Sequence, residues 1–161
     1  MSWRGSTTVS DRIFASLVYL LPLLDVLRFV GQILKVTGSV LSPLIVLVET
    51  PLRPLLSIYT GFVPFIVFLG LFILVVRNEN VPHFIRFNTL QAIFFGIVLS
   101  LVEIIWQFAL SPVFGTLLTQ TLFNAVFLGM IAAVGYSIVQ TVLGRYAEIP
   151  TISDAVYTYV R

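Results

Sequence analysis

The chain has 161 residues, of which 58% are hydrophobic and 10% charged, with a mean hydropathy of +1.05. A soluble domain carries about 25% charged residues, so a chain this apolar has too little polar surface to cover itself in water. The net charge of +2 includes no basic cluster of the kind that binds nucleic acid. The absence of cysteine excludes disulfides, thiolate metal sites and cysteine nucleophiles, and the single histidine, His83, argues against a histidine-based metal site or triad.

Four apolar stretches are long enough to cross a hydrocarbon core of ~30 Å, which takes about 20 helical residues. The first covers 13–34, preceded by Ser10 and Asp11 as a cap and a dipole-compatible acid. About ten residues precede this run, which leaves no room for a transit peptide. The run holds Asp25 and Arg28 and lacks an A-x-A-like cleavage site, so it reads as a retained span. A shorter apolar piece follows at 40–48. It is interrupted by Pro43, closed by Pro51 and Pro54, and too short to cross as a helix. It is expected as a re-entrant or in-plane segment, or as a core helix lying on the other spans.

The second span is expected at 55–76, the third at 89–110 and the fourth at 121–143. Pro22 and Pro64 fall inside the first and second spans and can kink them. The end of the chain, 152–160, forms an amphipathic helix. Thr151 and Asp154 have the capping-box spacing, and Ile152, Ala155, Val156 and Tyr159 share one face. The expected architecture is all-α: one polytopic domain over 1–161 with four transmembrane helices.

Four spans put the N-terminus, the loop from Arg77 to Asn88 and the C-terminus on one side, with Arg4, Arg12, Arg77, Arg86, Arg145 and Arg161. The other side has Lys35 and Arg53. Cytoplasmic flanks collect Lys and Arg, so both termini are expected to face the cytoplasm or its plastid equivalent.

Ionisable groups inside spans are costly and must face protein or water. Asp25 and Arg28, three residues apart, can pair on one helix face. Arg28 and Glu103 each lie about 15 residues in from the cytoplasmic side, ~22 Å deep, so they can meet across the bundle. These residues either line a pathway or form a buried network that sets helix register. Ala92, Gly96 and Ser100 on the third span, and Ala125, Gly129 and Ala133 on the fourth, make small-residue stripes that let helices approach closely. Glu103 and Gln107 continue the first stripe and Gln140 the second. The stripes are expected to pack the third span against the fourth through Gly96 and Gly129, or to leave a water-lined seam between them. No Gly-rich phosphate loop, catalytic triad or zinc-protease motif is present, and neither a cofactor nor a metal is expected.

Three segments carry a resemblance: Tyr19-Leu-Leu-Pro-Leu-Leu-Asp25, Arg77-Asn-Glu-Asn-Val-Pro-His-Phe-Ile-Arg-Phe-Asn-Thr-Leu-Gln-Ala-Ile93 and Gly144-Arg-Tyr-Ala-Glu-Ile-Pro-Thr-Ile-Ser-Asp-Ala155. Together they resemble the Tic-twenty family, the membrane subunit of the protein-import translocon in the chloroplast inner envelope. The resemblance implies four helices with both termini stromal and a role, without catalysis, in moving polypeptides across a membrane. It implies partners among membrane lipid, other membrane subunits and a transiting polypeptide. The missing transit peptide points to a cyanobacterial or plastid-encoded type, in a plasma membrane or inner envelope. Motif residues Arg77, Asn78, Arg86, Asn88, Gln91, Arg145, Glu148 and Pro150 transfer as structural or partner-contact positions. The expected function is a subunit of a protein-translocation or membrane-protein assembly complex. The alternatives are a small-solute or ion channel using Asp25, Arg28 and Glu103, and a non-transporting scaffold.

Overall fold

The computed structural model describes residues 7–160, which leaves Arg4 and Arg161 outside the described residues. The described chain is helical. α1 (Val9–Leu17), α2 (Leu20–Val26), a π turn π1 (Leu27–Gly31) and α3 (Gln32–Thr37) form the first span. α4 (Ser42–Ile58) follows, then α5 (Val63–Leu71) with a second π turn π2 (Phe72–Val76). α6 (His83–Ile105) and π3 (Trp106–Leu110) form the third span, α7 (Thr116–Val142) the fourth, and α8 (Ile152–Tyr159) ends the chain.

Among the described residues three helices are long and apolar enough to cross a membrane: Val9–Thr37, His83–Leu110 and Thr116–Val142. The fourth crossing is broken. Ser42–Ile58 and Val63–Val76 meet at a 91° bend, so the stretch expected as the second span, 55–76, is bent just before Pro64, the proline expected to kink it. Gly61, at φ +57°, turns the chain, and Pro64 opens the next helix. The expected segment at 40–48 becomes part of a 17-residue helix that runs through Pro51 and Pro54. Each proline removes one backbone donor, and the Thr50 hydroxyl bonds back to the Val46 carbonyl at 2.6 Å within this stretch.

The bent pair nevertheless carries the chain from one end of the molecule to the other. At the far end, Gln120 donates to the Thr37 carbonyl and the Ser39 hydroxyl donates to Asn124 Oδ1 at 2.6 Å. At the near end, Arg86 Nε donates to the Val76 carbonyl at 2.9 Å. The starts of the first span and α6 and the end of α7 therefore share one end, as four crossings require.

The first span begins earlier than 13 because Thr8, not Ser10, caps it. The Thr8 hydroxyl accepts from Asp11 N at 3.1 Å, and Thr8 N donates to Asp11 Oδ2 at 2.8 Å. α7 ends in a Schellman turn, with Arg145 N donating to the Gln140 carbonyl and Gly144 N to the Thr141 carbonyl, both at 2.9 Å. Gly144 sits at φ +73°, and a Cβ there would lie 2.7 Å from Thr7 Oγ1 and 2.9 Å from Arg12 Cζ. The turn thus closes the C-terminal end of α7 onto the start of α1.

The first span is the centre of the bundle, packed by α6 on one side and α7 on the other. Tyr19, Val26, Leu27, Val30 and Leu34 from it join Phe95 and Leu99 of α6 and Phe123, Phe127 and Val134 of α7 in one buried cluster. α6 and α7 meet only near their ends, where Trp106 packs edge-on against Phe123, centroids 4.8 Å apart, and Thr141 bonds to Asn88. The expected packing of α6 on α7 through Gly96 and Gly129 does not occur. A Cβ on Gly129 would meet nothing within 4 Å, and the face that carries Ala125 is exposed. Only further along the stripe do Ala133 and then the fully buried Ser137 turn into the core.

α8 docks on α6 at the near end, where Val76, Phe87, Leu90, Ile93, Val156 and Val160 form a second buried cluster. The expected Thr151–Asp154 box is absent. Thr151 sits at φ +71° and makes no side-chain cap. Ser153 acts instead: its hydroxyl accepts from Ile149 N at 2.7 Å and donates to the Ala147 carbonyl at 3.2 Å. Tyr159 is exposed and Val160 takes its place inside.

Asn88 connects the elements. Its Oδ1 accepts from the Tyr19 hydroxyl at 2.8 Å and the Thr141 hydroxyl at 2.9 Å, and its Nδ2 donates to the Phe84 carbonyl at 2.8 Å. All three side chains are fully buried. Interhelical hydrogen bonds in membranes contribute about 0.6 kcal/mol each on average, and Asn88→Leu loses two: the Thr141 hydroxyl keeps the Ser137 carbonyl at 2.7 Å, but the buried Tyr19 hydroxyl is left against an apolar side chain. Asn88→Leu is expected to lower the melting temperature in detergent well below that of Asn80→Ala, a change in the exposed loop. Equal melting temperatures would show that Asn88 does not hold the bundle.

Candidate functional site: a polar cavity between the first and third spans

Two facing stripes run along the first span and α6. Leu21, Asp25, Arg28 and Gln32 recur on one; Ala92, Gly96, Ser100, Glu103 and Gln107 recur on the other. They line two adjoining cavities. The outer, about 500 Å³, lies between two π turns, with Arg28 and Phe29 from π1 and Trp106 and Gln107 from π3. Gln32, Ile33, Glu103 and Ser111 complete its lining. The inner, about 300 Å³, reaches Asp25, Tyr59, Gly96 and Ser100, and is walled by Pro64, Phe65 and Phe68 beyond the bend. Arg28 lines both. A third cavity of about 380 Å³ shares Gln32, Ile33 and Trp106 with the outer one and reaches Thr37, Thr116 and Thr119 at the far end.

Asp25 sits against α6. Its Oδ2 lies 3.2 Å from where a Gly96 Cβ would be, so the glycine makes room for the carboxylate. Tyr59, buried at the bend, lines the inner cavity together with this carboxylate. The small-residue stripe of α6 therefore serves the first span and the cavity, not α7.

Arg28 does not form the contact ion pair expected with Asp25 or Glu103. Among the described residues it has no carboxylate within 4 Å, whereas Lys35 Nζ and Glu49 Oε2 are 2.6 Å apart. The reason is local. The π turn that starts at Leu27 widens the helix, so the three-residue spacing no longer stacks Arg28 on Asp25. Arg28 is exposed and lines both cavities, with Asp25 in the inner one and Glu103 in the outer. Gln107 joins the site. Gln140 does not: it lines none of these cavities, and its carbonyl receives the Arg145 N–H.

The family model described as "Chloroplast import apparatus Tic20-like" matches residues 9–156. A Tic20 family protein of Synechocystis is 49% identical over 100% of this chain and 99% of its own length. The chain belongs to the Tic20 family. A Tic20 family protein Ycf60 of the red alga Gracilaria tenuistipitata is 33% identical over 92% of this chain and 74% of its own length. The protein TIC 20-v, chloroplastic, of Arabidopsis thaliana is 28% identical, covering 93% and 71%. This Tic20 family member is an integral membrane protein, and its family is not a known enzyme family.

The motif residues that carried the resemblance lie at the near end. Asn78 Oδ1 accepts from Asn80 N at 3.0 Å and shapes the turn that Arg77 enters. Arg86 binds the Val76 carbonyl, and Asn88 is the three-helix node. Gln91 Nε2 donates to the Ala147 carbonyl at 3.0 Å, which ties α6 to the segment holding Arg145, Glu148 and Pro150. Tyr157 donates to Glu148 at 3.4 Å, and the Pro150 carbonyl accepts from Ile152 N at 2.9 Å. His83, within the stretch expected as a loop from Arg77 to Asn88, is the first residue of α6. Its Nε2 sits 3.1 Å from the Val160 carbonyl and its Nδ1 3.0 Å from the Tyr146 hydroxyl.

Gln32 and Tyr59 were not singled out from the sequence. Gln32 is four residues after Arg28, a spacing that puts both on one face. Tyr59 between Pro54 and Gly61 marks a break inside an apolar run. The glycines separate by test. Both Gly96→Ala and Gly129→Ala gain helix propensity of about 1 kcal/mol, but only the first pushes on Asp25. Gly129→Ala is expected to hold or raise the melting temperature, and Gly96→Ala to fall below it. The reverse order would remove Asp25 from its place against Gly96.

Proposed function

We propose that this chain is a membrane subunit of a protein-translocation or membrane-protein assembly complex. Its near end meets partner subunits, and its polar cavity meets the polypeptide being handled. The carrying observation is a stack of polar side chains inside the membrane that lack partners within the protein. Arg28, Gln32, Glu103 and Gln107 make no side-chain hydrogen bond among the described residues and instead line a cavity. Polar groups at that depth mark pathways more often than packing. Membership of a family whose plant members are named as chloroplastic TIC proteins supports the same reading. In a chain like this one the substrate passes a membrane without being chemically changed, so the site supplies polar contacts and no catalysis.

The near end carries Arg12, Arg77, Arg86 and Arg145, and the far end Lys35 and Arg53, one of which is bridged to Glu49. That asymmetry supports a reading with both termini on the cytoplasmic or stromal side, of a cyanobacterial plasma membrane or a plastid inner envelope. The channel reading uses the same charges, but fully buried Phe87, Asn88 and Gln91 stand between the cavity and the near end.

Photo-crosslinking residues at Gln107 and at Asn80 test the proposal in native membranes. Gln107 is expected to capture a polypeptide in transit, and Asn80 stable membrane subunits. Capture of neither would overturn it. Reporter fusions after residue 160 and within 111–115 are expected to report opposite sides of the membrane, with the C-terminal one cytoplasmic or stromal.

A further inference from the structure

We infer that the stacked cavities form a one-sided aqueous vestibule, filled by water and small polar solutes from the far end and sealed at the near end by the Asn88 layer. The inference concerns what occupies the cavity. It stands whether or not a polypeptide uses it.

Three observations carry it. The first is continuity. The far-end cavity shares Gln32 and Trp106 with the outer one, and the outer shares Arg28 with the inner. From Ser111 to Ala92 along α6 the lining spans 19 residues, ~28 Å at 1.5 Å per residue. The second is chemistry. A guanidinium, a carboxylate and two carboxamides face this space with no partner in the protein among the described residues, and a lipid tail offers them none. Desolvating such groups without hydrogen bonds costs several kcal/mol each, so water is the occupant that satisfies them. The third is the backbone. The outer cavity lies between two π turns, and helices depart from regular geometry in membranes where water or neighbours can take up the displaced bonds.

The seal is equally explicit. One helical turn separates Ala92 from Asn88. In that turn Phe87, Asn88 and Gln91 are fully buried, and Tyr19 and Thr141 close on Asn88 from both sides. Buried rings and the Asn88 and Gln91 carboxamides, bonded to Tyr19, Thr141 and the Ala147 carbonyl, fill this layer. The seal is built from the same motif residues that hold the near end together.

The chain has no cysteine, so it is its own background for accessibility mapping. Single cysteines at Gln32, Gln107 and Ser100, with Val113→Cys as a far-loop control and Asn80→Cys as a near-loop control, are treated with a membrane-impermeant methanethiosulfonate. The reagent is applied separately to each face of sealed vesicles. Gln32→Cys, Gln107→Cys and Ser100→Cys are expected to react from the face that labels Val113→Cys and not from the face that labels Asn80→Cys. Failure of the three to react from either face, with both controls labelled and the native melting temperature kept, would show a lipid-filled or dry cavity. Labelling from both faces would show that the seal does not exist. Adding Asn88→Ala to Gln107→Cys is expected to admit reagent from the near face. If it does not, while the variant still folds, the seal lies in another layer. Polypeptide crosslinking and vestibule labelling are separate readouts, so either can fail without the other.

Discussion

The Asn88 carboxamide is the constraint on which the arrangement depends. In a bilayer, apolar burial does not drive helices together, because lipid tails are as apolar as leucine. What remains is close packing and the need of every polar group for a partner. Asn88 answers that need for three elements at once: Tyr19 from the first span, Thr141 from α7 and the Phe84 carbonyl of its own helix. It fixes the depth at which α6 and α7 sit against the first span. Their Phe95 and Phe123 side chains then reach the same central cluster from opposite sides.

Placing the first span in the centre has a consequence at the far end. Between the Asn88–Thr141 contact and the Trp106–Phe123 contact, α6 and α7 are held apart by the helix between them, and the bent pair leaves a wall instead of a full-length helix. The space so created is lined on the α6 side by Gly96, Ser100, Glu103 and Gln107. Small residues give it width and polar residues give it water. At the near end the same three helices converge, and α8 covers them through Val156 and Val160. The molecule is therefore tight and hydrogen-bonded at one end, open and polar at the other. Such a polarity suits a subunit that meets fixed partners on one side and a changing substrate on the other.

The bend at Tyr59–Phe62 ties these halves together. A straight second span would lie flush on α6 and fill the inner cavity. The 91° turn instead brings Tyr59 to the cavity that holds Asp25 and leaves α5 as a short post beside α6. Lys35 and Glu49 pin α4 to the first span on the other side of the bend. An ion pair inside the bundle contributes to position more than to net stability, since both charges must first be desolvated.

The sequence alone determined the membrane class, the helical architecture, the orientation signal in the basic residues and the family. Composition and 20-residue apolar runs are properties of the chain, and they survive without knowledge of neighbours. It also named Asp25, Arg28 and Glu103 as groups that must find protein or water, because the cost of charge in lipid does not depend on the fold. Tertiary structure decided which helices touch. Small-residue stripes on α6 and α7 read alike, yet Gly96 receives Asp25 while Gly129 faces outward. A stripe specifies that something can approach closely, and not what does. It decided too that Arg28 stands apart from Asp25, since a π turn changes the angular spacing that i,i+3 arithmetic assumes. Last, it decided that 42–58 continues through two prolines and then breaks at a glycine. Local propensity ranks the prolines as the stronger breakers, but the partners of Tyr59 and Glu49 lie in other helices, and those contacts set where the chain turns.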